Sequence, residues 1–147
     1  MTTLLRITGL TTQFPSPEGT VRAVDSLDLC LEEKETLSLV GESGCGKSIT
    51  AFSILRLVPP PGVITTGEIL FEGRNLLLLS NDEMRRIRGD RISMVFQEPM
   101  TSLNPVFRIG DQIAEGLRFH RGLNARDARL ETIEILHRVG IPSPSSR

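Results

Sequence analysis

Val40-Gly41-Glu42-Ser43-Gly44-Cys45-Gly46-Lys47-Ser48 is the stretch on which the reading of this chain turns. Just upstream, Thr36 to Val40 is a short apolar run with the character of a strand. Just downstream, Ala51, Phe52, Ile54, Leu55 and Val58 fit one face of a helix, which Pro59-Pro60-Pro61-Gly62 stops. A strand, a Gly-x-x-x-x-Gly-Lys-Ser turn and a helix in that order make a phosphate-binding loop, and each residue type has a task. The glycines Gly41, Gly44 and Gly46 let the backbone curl, so that successive N–H groups of the loop, Glu42, Ser43 and Cys45 included, turn inward. The following helix adds its positive N-terminal end. Lys47 is expected to bridge the β- and γ-phosphates of a nucleoside triphosphate, and the Ser48 hydroxyl to ligate Mg²⁺. A turn that merely joins strand to helix leaves Lys47 unexplained. Cys45 is expected to contribute its backbone only, with a passive side chain pointing away, and Cys30 reads as a small core residue on a strand.

Working outward, Leu27, Leu29 and Leu31 alternate with Ser26, Asp28 and Cys30 at the two-residue period of a half-buried strand. Phe14-Pro15-Ser16-Pro17-Glu18-Gly19 reads as a surface loop. Gly67 to Gly73 reads as a strand ending in a turn, and Ser80-Asn81-Asp82-Glu83 has the Ser-x-x-Glu spacing of a helix start. A short basic helix from Asp82 to Arg88 follows, with Arg85, Arg86 and Arg88 offset by Asp82, Glu83 and Asp90, as on a solvated face. Arg91 to Gln97 alternates again, with Ile92, Met94 and Phe96 on one side. Two helices are expected beyond, at about 108–120 and 125–139, ended by Gly140 and Pro142.

The whole chain has 147 residues, 39% of them hydrophobic and 24% charged, which suits one folded domain and not a disordered tail. With 17 basic and 18 acidic side chains interspersed, no broad basic face is available, so nucleic acid is disfavoured as a partner. The two cysteines lack metal-ligand spacing, and no run approaches the roughly 20 apolar residues that cross a bilayer. The chain is therefore expected to be cytosolic and reduced, touching a membrane through a partner.

The loop alone specifies a nucleoside triphosphate. The segment Met94-Val95-Phe96-Gln97-Glu98-Pro99-Met100-Thr101-Ser102-Leu103-Asn104-Pro105, about fifty residues later, narrows the reading. Together the two stretches closely resemble the ATP-binding subunits of ABC transporters, within the branch importing oligopeptides, dipeptides and nickel. The resemblance runs from about Leu4 to Pro142 and also takes in Ala23-Val24-Asp25-Ser26-Leu27, Thr66-Gly67-Glu68-Ile69 and Arg85-Arg86-Ile87-Arg88-Gly89.

It implies an α/β P-loop NTPase fold of the ABC type, truncated to an antiparallel β subdomain, part of the parallel core sheet and the start of a helical subdomain. Residues 1–97 are expected to form the ATP-binding core and residues 98–147 the incomplete helical part. Gln97 falls on the glutamine that touches Mg²⁺ and the attacking water and reports the γ-phosphate to the membrane partner. Phe14 falls where these proteins carry an aromatic that stacks on adenine; the competing reading is a hydrophobic anchor for the first strand. The implied cofactors are ATP and Mg²⁺, and the implied partners are transmembrane permease subunits and a second nucleotide-binding subunit, at the inner face of the cell membrane. The family's signature motif, its Asp-Glu strand end and its switch histidine do not occur in these residues; Leu76 to Leu79 ahead of Asp82-Glu83 only imitates the second. Hydrolysis by this chain alone is therefore not expected. A non-hydrolytic MgATP-binding fragment, a decayed remnant and a small P-loop kinase are the rival readings, with an ABC-type DNA-repair ATPase behind them.

Overall fold

β1 (Thr3–Ser16) and β2 (Gly19–Glu32) form an antiparallel hairpin in the computed structural model, which describes residues 2–97 and 102–146. Glu98, Pro99, Met100 and Thr101, from the second motif, lie outside the described residues. The ladder runs to the tip, pairing Phe14 with Val21, Pro15 with Thr20 and Ser16 with Gly19. The stretch expected as a loop is thus mostly strand, with only Pro17-Glu18 left as the turn. Pro15 is tolerated because it lies past Gln13, the last β1 residue paired with β3 (Val63–Phe71), so β1 has one neighbour there instead of two. β4 (Arg74–Asn75) completes a four-stranded sheet in the order β2-β1-β3-β4.

Ile7, Leu10 and Ile69 are fully buried, together with Leu76 and Met84, and these side chains make the centre of the core. Leu76 reaches it from a single 3₁₀ turn, Leu76–Leu78, that leaves Leu78 exposed. The Leu27-Leu29-Leu31 alternation holds, with these three half-buried and Ser26, Asp28 and Cys30 outside. Cys30 is therefore exposed, contrary to its reading as a core residue: the two-residue period that turns the leucines inward turns Cys30 out.

α1 (Lys47–Ile54) is joined to the sheet by a buried hydrogen bond between Thr12 Oγ1 and Ser53 Oγ, 2.8 Å long. It ends earlier than expected, at Ile54, because Arg56 turns into left-handed backbone (φ 52°) and its guanidinium donates to the Leu76 and Leu79 carbonyls. α2 (Asn81–Ile87) opens on the anticipated reciprocal cap: Glu83 N–H donates to Ser80 Oγ (3.3 Å), and Ser80 N–H donates back to Glu83 Oε2 (2.9 Å). The same carboxylate accepts from the Ser80 hydroxyl and, through Oε1, from Arg74. Its pKa is held below the usual range, chiefly by the Ser80 N–H.

The chain divides into two compact units, residues 1–85 and 86–147. In the second, α3 (Ile109–Arg121) and α4 (Ala125–Arg138) bury Leu117, Ala128, Thr132 and Leu136. Gly122 (φ 65°) ends α3, and the Asn124 side chain caps α4 by accepting from the Asp127 N–H. Both helices lie within a residue of their expected ends.

Two expected strands are absent as ladders. Thr36 to Val40 pairs with nothing among the described residues, and Val40 is 92% exposed. Arg91 to Gln97 forms one isolated parallel bridge, between Ile92 and Arg88; Ile92 and Met94 are half-buried and Ser93 and Val95 exposed, but Phe96, expected on the side of Ile92 and Met94, is exposed as well. The apolar composition is in place in both segments, but a parallel strand is normally buried between neighbours. The described sheet is antiparallel, with helices after it, as in a truncated α/β domain.

Candidate functional site: the phosphate-binding loop

Residues 41–48 leave an extended segment, turn sharply and enter α1. The turn depends on left-handed backbone at Gly44 (φ 83°) and Gly46 (φ 96°). Gly46 has a second constraint: a Cβ there would lie 2.1 Å from the Ala23 carbonyl oxygen, so the loop presses against β2 backbone to backbone. Cys45 N–H donates to the Glu42 carbonyl at 3.3 Å, closing the turn before the helix.

α1 begins with no side-chain cap and no acidic residue in its first turn. Among the described residues, the N–H groups of Gly44, Gly46 and Ser48 donate to no backbone carbonyl, while the Lys47 N–H faces the Cys45 sulfur. Converging unpaired N–H groups at the positive end of a helix form an anion-binding cradle.

The Lys47 ammonium sits over this backbone, donating to the Gly41 and Glu42 carbonyls at 2.7 Å each and to Cys45 Sγ at 3.3 Å. Its three protons are thus all engaged by the loop itself. The Ser48 side chain is exposed on the first turn of α1. The donor set fits a triphosphate: free backbone amides, a cation poised above them, no competing carboxylate on the helix turn, and a neighbouring hydroxyl of the kind that ligates Mg²⁺.

Cys45 departs from its expected orientation. Its side chain turns back across the loop, so that Sγ lies 2.6 Å from where a Gly41 Cβ would be. The Lys47 ammonium donates to the sulfur and holds the thiol pKa below its ordinary value. No residue pattern signals this, since it depends on the curl that brings positions 41, 45 and 47 together.

Phe14 belongs to the same unit as the loop; it is half-buried near the hairpin tip, and its ring reaches the Pro59–Gly62 turn. Gln97 is exposed and belongs to the second unit. The sequence also gave no sign of Gln112, on the first turn of α3. Its Oε1 accepts from Asn104 N–H (2.8 Å), and its Nε2 donates to the carbonyls of Asn104 (2.9 Å) and Phe107 (3.1 Å). One amide thereby ties the end of the second motif, at Asn104, and Phe107 just beyond it to α3.

A glycine-rich loop with a lysine and a serine at the start of a helix, docked to an antiparallel sheet, defines the class. Residues 24–147 match the ABC transporter family, and the chain belongs to that family. It is 45% identical over 148 residues to the oligopeptide transport ATP-binding protein OppD of Bacillus subtilis, a match covering 100% of this chain and 41% of the relative. It is 46% identical over 148 residues to the dipeptide transport ATP-binding protein DppD of the same organism, covering 100% of this chain and 44% of the other. The chain thus spans well under half the length of these relatives. Among solved structures, the dimeric bacterial ABC transporter cassette MJ0796 is similar at a TM-score of 0.74 and 27% identity, covering 90% of this chain and 57% of that one. A post-hydrolysis state of the same cassette, bound to ADP and Pi, is similar at a TM-score of 0.71 and 25% identity. No described helix is long and apolar enough to cross a membrane.

Proposed function

We propose that this chain is the ATP-binding part of an ABC importer for peptides or a related small solute. The observation that carries the reading is the Lys47 ammonium bound to the Gly41 and Glu42 carbonyls of a loop whose Gly44, Gly46 and Ser48 N–H groups have no backbone acceptor among the described residues. Lys47 exchanges the Gly41 and Glu42 carbonyls for phosphate oxygens, the loop amides hold the remaining phosphate charge, and Ser48 takes Mg²⁺. Phe14 offers the adenine its ring, a broad apolar face. ATP supplies the anhydride bond whose hydrolysis powers the transport cycle.

Residues 1–97 act as the nucleotide-binding core and residues 98–147 as the start of the helical part that meets the permease. Gln97 stands at the junction, touching Mg²⁺ and the attacking water and passing the state of the γ-phosphate onward. The partners are transmembrane permease subunits and a second nucleotide-binding subunit, which places the protein on the cytoplasmic face of the cell membrane. Hydrolysis belongs to the complete assembly, since the groups that activate water in the family lie outside these residues. The names of the peptide-transport relatives and the dimeric cassette support this reading.

The test is ATP-driven peptide uptake by vesicles carrying the complete transporter. Wild-type subunit supports uptake, whereas Gln97→Ala retains MgATP binding and loses uptake. Undiminished uptake with Gln97→Ala removes the coupling role, and an ATP-independent uptake removes the function.

A further inference from the structure

Phe14 and Val58 converge on one point, the place where a side chain on Gly62 would begin. A Cβ at Gly62 would lie 2.5 Å from Phe14 Cε1, 2.6 Å from Cζ and 2.7 Å from Val58 Cγ1. Such distances lie far inside van der Waals contact, so any residue but glycine must displace the ring, the valine or the turn. The turn itself is fixed, because Gly62 N–H donates to the Pro59 carbonyl at 2.9 Å. From the other side, the hairpin fixes the Phe14 backbone opposite Val21. The ring is thus held by the atoms at its tip, in a residue that is half-buried.

The Phe14 ring also stands on the hairpin against which the phosphate-binding loop and its helix are seated. Thr12, two residues before Phe14, reaches Ser53 of α1, and Ala23, two residues after the partner Val21, presses on Gly46. The loop and the ring are therefore built on neighbouring rungs of one hairpin.

We propose that Gly62 is a positioning residue for adenine recognition: its missing side chain seats the Phe14 ring against the Pro59–Gly62 turn and leaves the rest of the ring for the base. The proposal rests on the reading of Phe14 as the adenine platform. It explains why the turn after α1 approaches the hairpin tip with a glycine, and it makes the turn a determinant of base affinity remote from the phosphates.

The experiment measures the affinity of the complete protein for MgATP and for Mg-tripolyphosphate, which engages the loop without a base. Wild type is compared with Phe14→Ala, Gly62→Ala and Val58→Ala, the last loosening the seat without crowding it. Phe14→Ala and Gly62→Ala are expected to weaken MgATP by about tenfold, the scale of base–aromatic stacking, with tripolyphosphate unchanged. Val58→Ala is expected to weaken MgATP by about threefold, again selectively. MgATP affinity unchanged in Phe14→Ala overturns the platform reading and this proposal with it. A selective loss in Phe14→Ala, with the wild-type ratio of the two affinities kept in both Gly62→Ala and Val58→Ala, overturns the role of Gly62 alone. If Gly62→Ala fails to fold, Val58→Ala decides: a selective MgATP loss supports the seat and a wild-type ratio overturns it.

Discussion

β1 and the Thr36 to Val40 segment are both apolar runs with strand character, yet one is the centre of a sheet and the other pairs with nothing among the described residues. β1 has β2 on one side and β3 on the other, both within 71 residues of the N-terminus, and it buries Ile7 and Leu10 completely. Thr36 to Val40 has the same kind of side chains and leaves Val40 at 92% exposure. Intrinsic preference is nearly matched, so the difference lies in neighbours. Strand propensity measures how well a residue fits a half-buried pleated surface, and without flanking strands there is no such surface. An unpaired apolar edge of this kind is also where chains aggregate.

The comparison can be broken by mutation. Ile69→Ala, in the wall that β3 places against β1, is expected to destabilise the first unit by about 2–5 kcal/mol in denaturant unfolding. Ser53→Ala removes the partner of a buried Thr12 hydroxyl on the helix that carries Lys47, and about 1–3 kcal/mol is expected to be lost. Val40→Ala, by contrast, is expected to stay within about 0.5 kcal/mol in the 147-residue chain. A cost for Val40→Ala equal to that of Ile69→Ala would mean that the segment is paired after all. Amide hydrogen exchange gives the same contrast site by site, slow at Ile7 and Leu10 and fast from 36 to 40.

The smallest expected effect is at the exposed α2 cap. The Glu83 pKa is lowered in the fold, so its stabilising contribution is present above the unfolded carboxylate pKa and disappears as pH falls through the lower folded value. Glu83→Gln should flatten that part of the acid limb of the stability curve. An unchanged limb would show that the Ser80 N–H and hydroxyl do not favour the charged form.

What was legible in the sequence divides along the same line as the two strands. Features set by residues close in the chain were readable: the Ser80–Glu83 cap, the ends of α3 and α4, and the glycine spacing from Gly41 to Gly46. Features that need a distant partner were not. The Phe14–Gly62 contact joins residues far apart in sequence, the Gln112 amide spans eight positions to Asn104, and Cys45 bends inward only because Gly41 leaves room. The strands at 36–40 and 91–97 were over-read for the complementary reason: their pattern is local, but the ladder that makes a strand is not.

The loop from Gly41 to Ser48 also carries its own chemical test. Because Lys47 lowers the Cys45 pKa, alkylation of Cys45 should rise at lower pH than for an ordinary thiol, and Lys47→Ala should move that rise upward. Saturating MgATP should slow the reaction by occupying the loop.

The most direct measurement is a calorimetric titration of MgATP into the protein and into Lys47→Ala, both shown to be folded by cooperative melting. Saturable one-site binding to the wild type is expected, with a loss of at least about a hundredfold in the variant, since a charge-assisted donor to phosphate is removed from a site built around it. Equal affinity in the two proteins would contradict the assignment of residues 41–48 as the nucleotide site.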